Sequence, residues 1–446
     1  MQFNIPSNSP VRRPDFLFGV ATAAFQVEGH RHADGRTDSI WDTFCDQPGR
    51  VLNGDNGEPA CDHYARWEED LDLMQSMGVE AYRFSIAWPR IVPARGEINE
   101  AGLRFYEQLV DGLLARGIRP VATLYHWDLP QWLEDRGGWL NRETAWAFAD
   151  YADAVVSRLG EKVTHWATFN EPFCSAFLGY QIGVHAPGYQ EPAWAFQAAH
   201  HLLLAHGLAL PRMRQAAPNS QHGIVLNFTP SYPETRQPED VRAALQKDTI
   251  EVHWFIATLL DGQYPAGYFS RHPDHRPVIL PGDMEKISQP NDFIGVNFYT
   301  RHVVREQDGQ PETVPQEGAE HTHIGWEVCP DALTDLLLQL HNTYPNLPPL
   351  FITENGMAGD DHLSAEGVHD VQRVSYYERH IAAVGEAMAE GVDIRGYFAW
   401  SLMDNFEWAF GYSQRFGLVY VDYDTQQRTL KTSAHAYADW LRGRQS

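Results

Sequence analysis

At 446 residues, with 43% hydrophobic and 21% charged side chains, the chain has ample material for a buried core. Its 59 acidic residues outweigh 34 basic ones, and the resulting formal charge of −25 repels phosphate backbones and argues against nucleic-acid partners. No stretch approaches about 18 consecutive apolar residues, so no membrane span is expected.

Four scattered cysteines (Cys45, Cys61, Cys174, Cys329) contain no Cys-x-x-Cys pair, and free thiols fit a reducing compartment. The N-terminus is polar and lacks an apolar signal core, which points to a cytoplasmic protein. Lys162, Lys247, Lys286 and Lys431 are the only lysines, so arginine carries nearly all the positive charge.

In chain order, β-prone apolar runs occupy Phe16–Ala21, Ala81–Trp88, Pro120–Trp127, Val163–Phe169, Gly223–Phe228, Phe293–Tyr299, Leu350–Thr353 and Ile394–Leu402. Helical spacing separates them. Leu103, Tyr106, Leu109, Val110, Leu113 and Leu114 recur every three or four positions, with Asn99 as an N-cap and Gly117 and Pro120 as stops. Further helices are expected at Asp70–Met77, Arg142–Arg158, Pro192–Ala216, Pro238–Leu260, Pro330–His341, Gly367–Glu390 and Thr432–Leu441.

Eight strand–helix alternations without a break in composition predict an α/β chain with parallel strands. Closure into a single (β/α)8 TIM barrel over residues 1–446 leaves no exposed edge. An open doubly wound sheet would bring a glycine-rich phosphate loop after the first strand, and Phe18–Gln26 has none. The polar segment Arg305–Glu320 reads as a long excursion after the sixth strand, and the extra length over a barrel of about 250 residues goes into such βα loops.

Two of the apolar runs lead into a glutamate and then a breaker: Asn170-Glu171-Pro172 and Thr353-Glu354-Asn355-Gly356. Either carboxylate alone reads as a solvated or capping group. Together, on separate strand ends of one barrel, they can flank a single bond, as acid–base cleavage of a glycoside requires. The other strand ends supply Gln26, Arg83, His126, Trp127, Asn297, Tyr299 and Trp400, with Glu407 and Trp408 just beyond the eighth strand. Amides, imidazole and carboxylates suit hydroxyls that donate and accept, and indole faces suit the C–H face of a sugar ring.

These segments resemble glycoside hydrolase family 1, the β-glucosidase family, over essentially the whole chain. Thr168–Pro172 and Ile352–Gly356 are similar to its two catalytic signatures and Phe16–Gly29 to its N-terminal one, while Tyr82–Arg90, Tyr125–Pro130 and Asp404–Trp408 match further segments. The resemblance implies a retaining mechanism without cofactor or metal, with Glu354 as nucleophile and Glu171 as general acid/base. It implies Arg83, Asn297 and Tyr299 beside the carboxylates. Gln26, His126, Asn170, Tyr299, Trp400, Glu407 and Trp408 become sugar contacts, and Phe173 and Trp326 fall on the aglycone side. On this reading the charge of Glu354 raises the pKa of Glu171. Two positions depart from the family: Phe173 where Trp is common, and Phe25 where Tyr is frequent. Substrates would be small β-glucosides or cello-oligosaccharides, with homo-oligomerisation left open.

Three other readings compete. A 6-phospho-β-glycosidase needs cationic donors near the sugar 6-position, where Glu407 would repel phosphate. A metal-dependent barrel hydrolase needs clustered histidines, whereas His200-His201 lie side by side on a helix and His321-x-His323 in the polar loop. A sugar-binding protein without catalysis would be expected to lack one of the two glutamates.

Overall fold

The apolar runs become eight parallel strands closed on themselves. In the computed structural model, which describes residues 2–444, β1 spans Leu17–Ala21, β2 Ala81–Ser85, β3 Arg119–Tyr125 and β4 His165–Asn170. They continue with β5 Gln221–Phe228, β6 Phe293–Phe298, β7 Leu350–Asn355 and β8 Ile394–Trp400. Each strand pairs with the next in sequence, and β8 returns to β1 in register from Leu17 opposite Gly396 to Ala21 opposite Trp400. β1, β2, β6 and β7 are buried at every position, which is why they read as continuous apolar runs rather than alternating ones.

Two hydrophobic layers separate cleanly. Leu17, Ala81, Val121, Ala167, Val225, Phe293, Phe351 and Phe398, one from each strand, form a cluster that fills the barrel. The alternate residues pack outward against the helices, where the helix Glu100–Ala115 buries Leu103, Tyr106, Leu109, Val110 and Leu113 as its periodicity demands. Gly117, at φ 71°, follows that helix in a conformation that L side chains resist.

The ladder slips on both strands that carry the glutamates. In β4 the register with β5 shifts between Ala167 and Asn170, and in β7 the register with β6 shifts between Ile352 and Glu354. Without a slip, strict alternation from Ala167 and Phe351 would send Asn170 and Glu354 outward. The bulges turn both into the barrel mouth. Gly356 then lets the chain pass against the Trp400 carbonyl, where a Cβ would collide.

Several expectations need correction. Asn99 stands at the N-cap position, but its side-chain amide donates to Asp34 O at 2.7 Å and Arg90 O at 2.9 Å instead of capping. The helix expected over Pro238–Leu260 is interrupted by a π-helical turn at Thr249–His253. The polar segment after β6 is not all loop. His302–Gln307 and Gln310–Thr313 form a hairpin that joins Ser231–Pro233 in a small sheet beside the barrel mouth. Among the described residues no helix is long and apolar enough to cross a membrane.

Candidate active site

At the C-terminal ends of the strands lies a cavity of about 620 Å³, in the size range that holds small molecules. His126, Trp127, Glu171, Phe173, Asn297, Tyr299, Trp326, Glu354, Trp400, Glu407 and Trp408 line it. Arg83 and Asn170 are buried behind this wall and hold it in place, and Gln26 is buried at its closed end. Cys174, Asn227, Glu251 and His185 also line the cavity and were not singled out from the sequence. Cys174 lies three residues past Glu171 on a helix, a spacing that could have revealed it.

A single hydrogen-bond network joins the two glutamates. Arg83 Nη1 donates to Glu354 Oε1 at 2.8 Å, and Tyr299 OH donates to Glu354 Oε2 at 2.6 Å. Arg83 Nη2 donates to Asn170 Oδ1 at 2.6 Å. Asn297 Nδ2 donates to the same Asn170 oxygen at 3.0 Å and to Glu171 Oε1 at 2.8 Å, while Thr353 Oγ1 donates to Asn297 Oδ1 at 2.7 Å. Glu171 Oε2 meets Cys174 Sγ at 3.1 Å. Glu171 makes no ion pair among the described residues, so the two carboxylates have opposite surroundings: one is clamped by a cation, the other only by neutral groups.

The closed end of the cavity offers unpaired polar atoms of known character. Asn170 presents its oxygen to Arg83, so its Nδ2 faces His126 Nε2 at 3.1 Å. His126 must accept there, which places its proton on Nδ1, a buried atom with no protein partner. Gln26 Nε2 donates to Asn405 Oδ1 at 3.0 Å and Phe406 O at 2.7 Å, leaving Gln26 Oε1 a free acceptor. Glu407 Oε2 is likewise unpaired. The loop bearing Glu407 and Trp408 is anchored at Asp404, which accepts from Lys431 Nζ at 2.6 Å and Arg415 Nη1 at 2.7 Å.

Burial first, and then the charge of Glu354, push the Glu171 carboxyl up from 4.5 to about 8. The sequence reading gave the leading role to Glu354; desolvation outranks it. Glu407 is also pushed up to about 8, by burial and then by the charges of Glu354 and Glu171. Its carboxyl is therefore largely neutral at pH 7, and the phosphate-repulsion argument drawn from its charge does not hold there. No lysine lines the cavity, and its one arginine, Arg301, is paired with Glu327 at 2.9 Å. Burial and then Arg83 push the His126 imidazolium well below its usual range, so the ring is neutral. Burial and then Glu354 hold the Tyr299 phenol protonated as a donor.

Three lining residues carry backbone strain. Trp127, Glu171 and Trp408 adopt φ of 80°, 48° and 48°, left-handed values that cost non-glycine residues of order 1 kcal/mol or more. Aromatic rings wall one end of the cavity: His126 stacks near-parallel on Trp400 at 5.9 Å and on Trp408 at 6.0 Å. Phe25 lies behind, stacked on Trp408 at 5.9 Å, so its departure from the family is a packing change. At the outer end Trp326 packs against Tyr299 at 5.4 Å, and Phe173 against Phe177 at 5.2 Å. The two histidine pairs serve other purposes. His200 bonds Tyr264 and Asp283, His201 bonds Trp139 O, and His321 bonds Ala319 O. Among the described residues no three His, Cys, Asp or Glu side chains gather as metal ligands.

A carboxylate clamped by a guanidinium and a second buried carboxyl whose pKa is raised, both lining one cavity, are the two groups that glycoside cleavage needs. Comparison with known proteins agrees. Residues 10–445 match glycosyl hydrolase family 1. A β-glucosidase of Agrobacterium sp. is 48% identical over 441 residues, covering 97% of this chain and 96% of that protein. β-Glucosidase A of Thermotoga maritima is 44% identical over 429 residues, covering 95% and 96%. Among solved structures, the family 1 β-glucosidase of Thermotoga maritima in complex with isofagomine lactam superimposes with a TM-score of 0.94 at 43% identity, covering 97% and 98%. The virulence factor SghA of Agrobacterium tumefaciens, in complex with its substrate analogue salicin, superimposes with a TM-score of 0.94 at 47% identity, covering 97% of each chain. By sequence over nearly its full length, and by the barrel and cavity it builds, this chain belongs to glycosyl hydrolase family 1.

Proposed function

We propose that this protein is a retaining β-glucosidase that releases terminal β-D-glucosyl residues from small β-glucosides and cello-oligosaccharides, with residues 1–446 acting as one catalytic domain. The observation that carries the reading is the contrast between the carboxylates. Glu354 is held by Arg83 and Tyr299, while among the described residues the Glu171 carboxyl bonds only Asn297 and Cys174 and is pushed up to about 8.

In the first step a Glu354 oxygen bonds to the anomeric carbon as the bond to the leaving oxygen breaks, and Glu171 delivers its proton to that oxygen. The charge of Glu354 is consumed in the ester, so the carboxyl of Glu171 becomes more acidic and now serves as the base. In the second step Glu171 takes a proton from water, the hydroxide adds to the anomeric carbon, and the Glu354 ester bond breaks. Two displacements at one carbon retain its configuration.

The glycone would be read by the His126 Nδ1–H donor, the Gln26 Oε1 acceptor and Glu407, whose neutral carboxyl both donates and accepts, with Asn170 fixing the His126 tautomer. Trp400 and Trp408 supply ring faces, and Phe173 and Trp326 receive the aglycone. The four cysteines are free, which supports a cytoplasmic setting.

Glu354→Ala tests the assignment. Turnover should be lost, and added azide should restore it to give the α-glucosyl azide; no rescue would remove Glu354 from the role of nucleophile. A faster reaction with a 6-phosphoglucoside than with the glucoside itself would overturn the substrate class.

A further inference from the structure

The network around Glu171 determines which of its two oxygens carries the proton. The Arg83 guanidinium holds donors only, so Asn170 presents Oδ1 to it at 2.6 Å. The Asn297 group 3.0 Å from that same Oδ1 must therefore be its amide nitrogen, and this nitrogen donates to Glu171 Oε1 at 2.8 Å. A hydroxyl on Oε1 would give Asn297 a poorer acceptor than the carbonyl oxygen that Oε1 becomes when the proton sits on Oε2. Among the described residues Oε2 has one partner, Cys174 Sγ at 3.1 Å, and a thiol can either accept or donate.

We propose that the transferable proton of Glu171 sits on Oε2, and that Cys174 is a positioning residue whose thiol donates to Oε2 once that proton has left. This rests on the reading of Glu171 as the acid/base.

The geometry fixes the thiol. Cys174 N donates to Glu171 O at 2.9 Å, so the turn that places the carboxylate also places its sulfur partner. Both side chains line the cavity, and Cys174 is only 7% exposed. Burial, and then the charge of Glu171, hold the thiol far above its ordinary range, so it keeps its own proton and remains a donor. The other ionisable groups that reach the pair are Glu354, Arg83, Glu251, Tyr299 and Glu407, and none of them donates to Oε2.

The proton balance is complete without further reactants. In the first displacement the Oε2 proton passes to the leaving oxygen, and Cys174 Sγ–H turns to the bare Oε2. In the second, water returns a proton to Oε2 as its hydroxide adds to the anomeric carbon and Glu354 is released. The thiol proton is never transferred.

The test is the pH profile of kcat/KM on an unactivated β-glucoside for wild type, Cys174→Ala and Cys174→Ser, with thermal melts to confirm folding. Loss of a donor to the carboxylate should move the alkaline limb of Cys174→Ala up by about half a pH unit or more. Cys174→Ser, which keeps a donor, should bring the limb back to the wild-type position or below it. An unmoved limb in Cys174→Ala overturns the proposal, and so does an equal upward move in both variants. If Cys174→Ala does not fold, a limb in Cys174→Ser above that of wild type is the overturning result. Failure of the acid/base reading would show separately, as equal rate losses in Glu171→Ala on activated and unactivated glucosides.

Discussion

Replacing Glu354 by Gln removes the negative charge that faces Glu171 while keeping its shape. The amide fits: its oxygen can take the Arg83 donor at Oε1, and its nitrogen can donate to the Tyr299 oxygen at Oε2. Glu171 rises from 4.5 to about 8, with burial the largest cause and the charge of Glu354 the second. Removing only the second cause should lower Glu171 by roughly one to two pH units, or about 1.4 to 2.8 kcal/mol. Burial is untouched, so the carboxyl should still titrate above the ordinary carboxylate range. Carbon-13 NMR of carboxyl-labelled glutamate in Glu354→Gln can follow it, with the Glu171→Gln double variant assigning the resonance. A fall to the ordinary range would mean that repulsion, not desolvation, sets the acid. No change would mean that the two carboxylates are uncoupled, which would contradict the shared-cavity argument.

Arg83→Met should cost about 3–5 kcal/mol in a urea melt, because it leaves Glu354 buried without its cation, and should lower kcat/KM by at least about a hundredfold; a loss under 1 kcal/mol would show that the pair is not buried in solution. Glu407 titrates near 4.5 when unfolded and near 8 when folded, so its stabilisation is complete below pH 4.5 and is lost as the pH rises towards 8, by up to about 1.4 kcal/mol per pH unit. Glu407→Gln should accordingly lose stability less steeply than wild type between pH 5 and 8 in urea midpoints, and an identical slope would refute the shift. Trp326→Ala should raise KM for aryl glucosides by about threefold or more while leaving inhibition by glucose unchanged; a parallel weakening of glucose would place Trp326 at the glycone instead.

The barrel was legible because strands buried on both faces must read as apolar runs, and because sequential parallel pairing needs a helix between each pair. The register slips before Asn170 and Glu354 were not legible, since a bulge changes facing without changing composition. The C-terminal ends of β1 and β5 were read where they fall, and those of the other six strands one to three residues out: Trp88 falls on a short helix beyond β2, and β7 extends past Thr353 to Asn355. The hairpin arms His302–Gln307 and Gln310–Thr313 fell mostly within the polar segment Arg305–Glu320 and were read as loop, because Arg305, Glu306, Gln307 and Glu312 leave no apolar alternation to follow. Asn99 shows the limit of capping rules, for its amide found better partners in Asp34 and Arg90. Cys174 escaped notice because its three-residue spacing from Glu171 signals a contact only once the turn joining them is known.

The central claim is covalent, and trapping tests it most directly. Incubation with 2,4-dinitrophenyl 2-deoxy-2-fluoro-β-glucoside slows the second displacement, so intact mass followed by peptide mapping reads the attacking residue. One fluoroglucosyl group per chain, on the peptide that carries Glu354, is the predicted result. A label on the Glu171 or Glu407 peptide, or an inactivated enzyme without any adduct, would contradict the account.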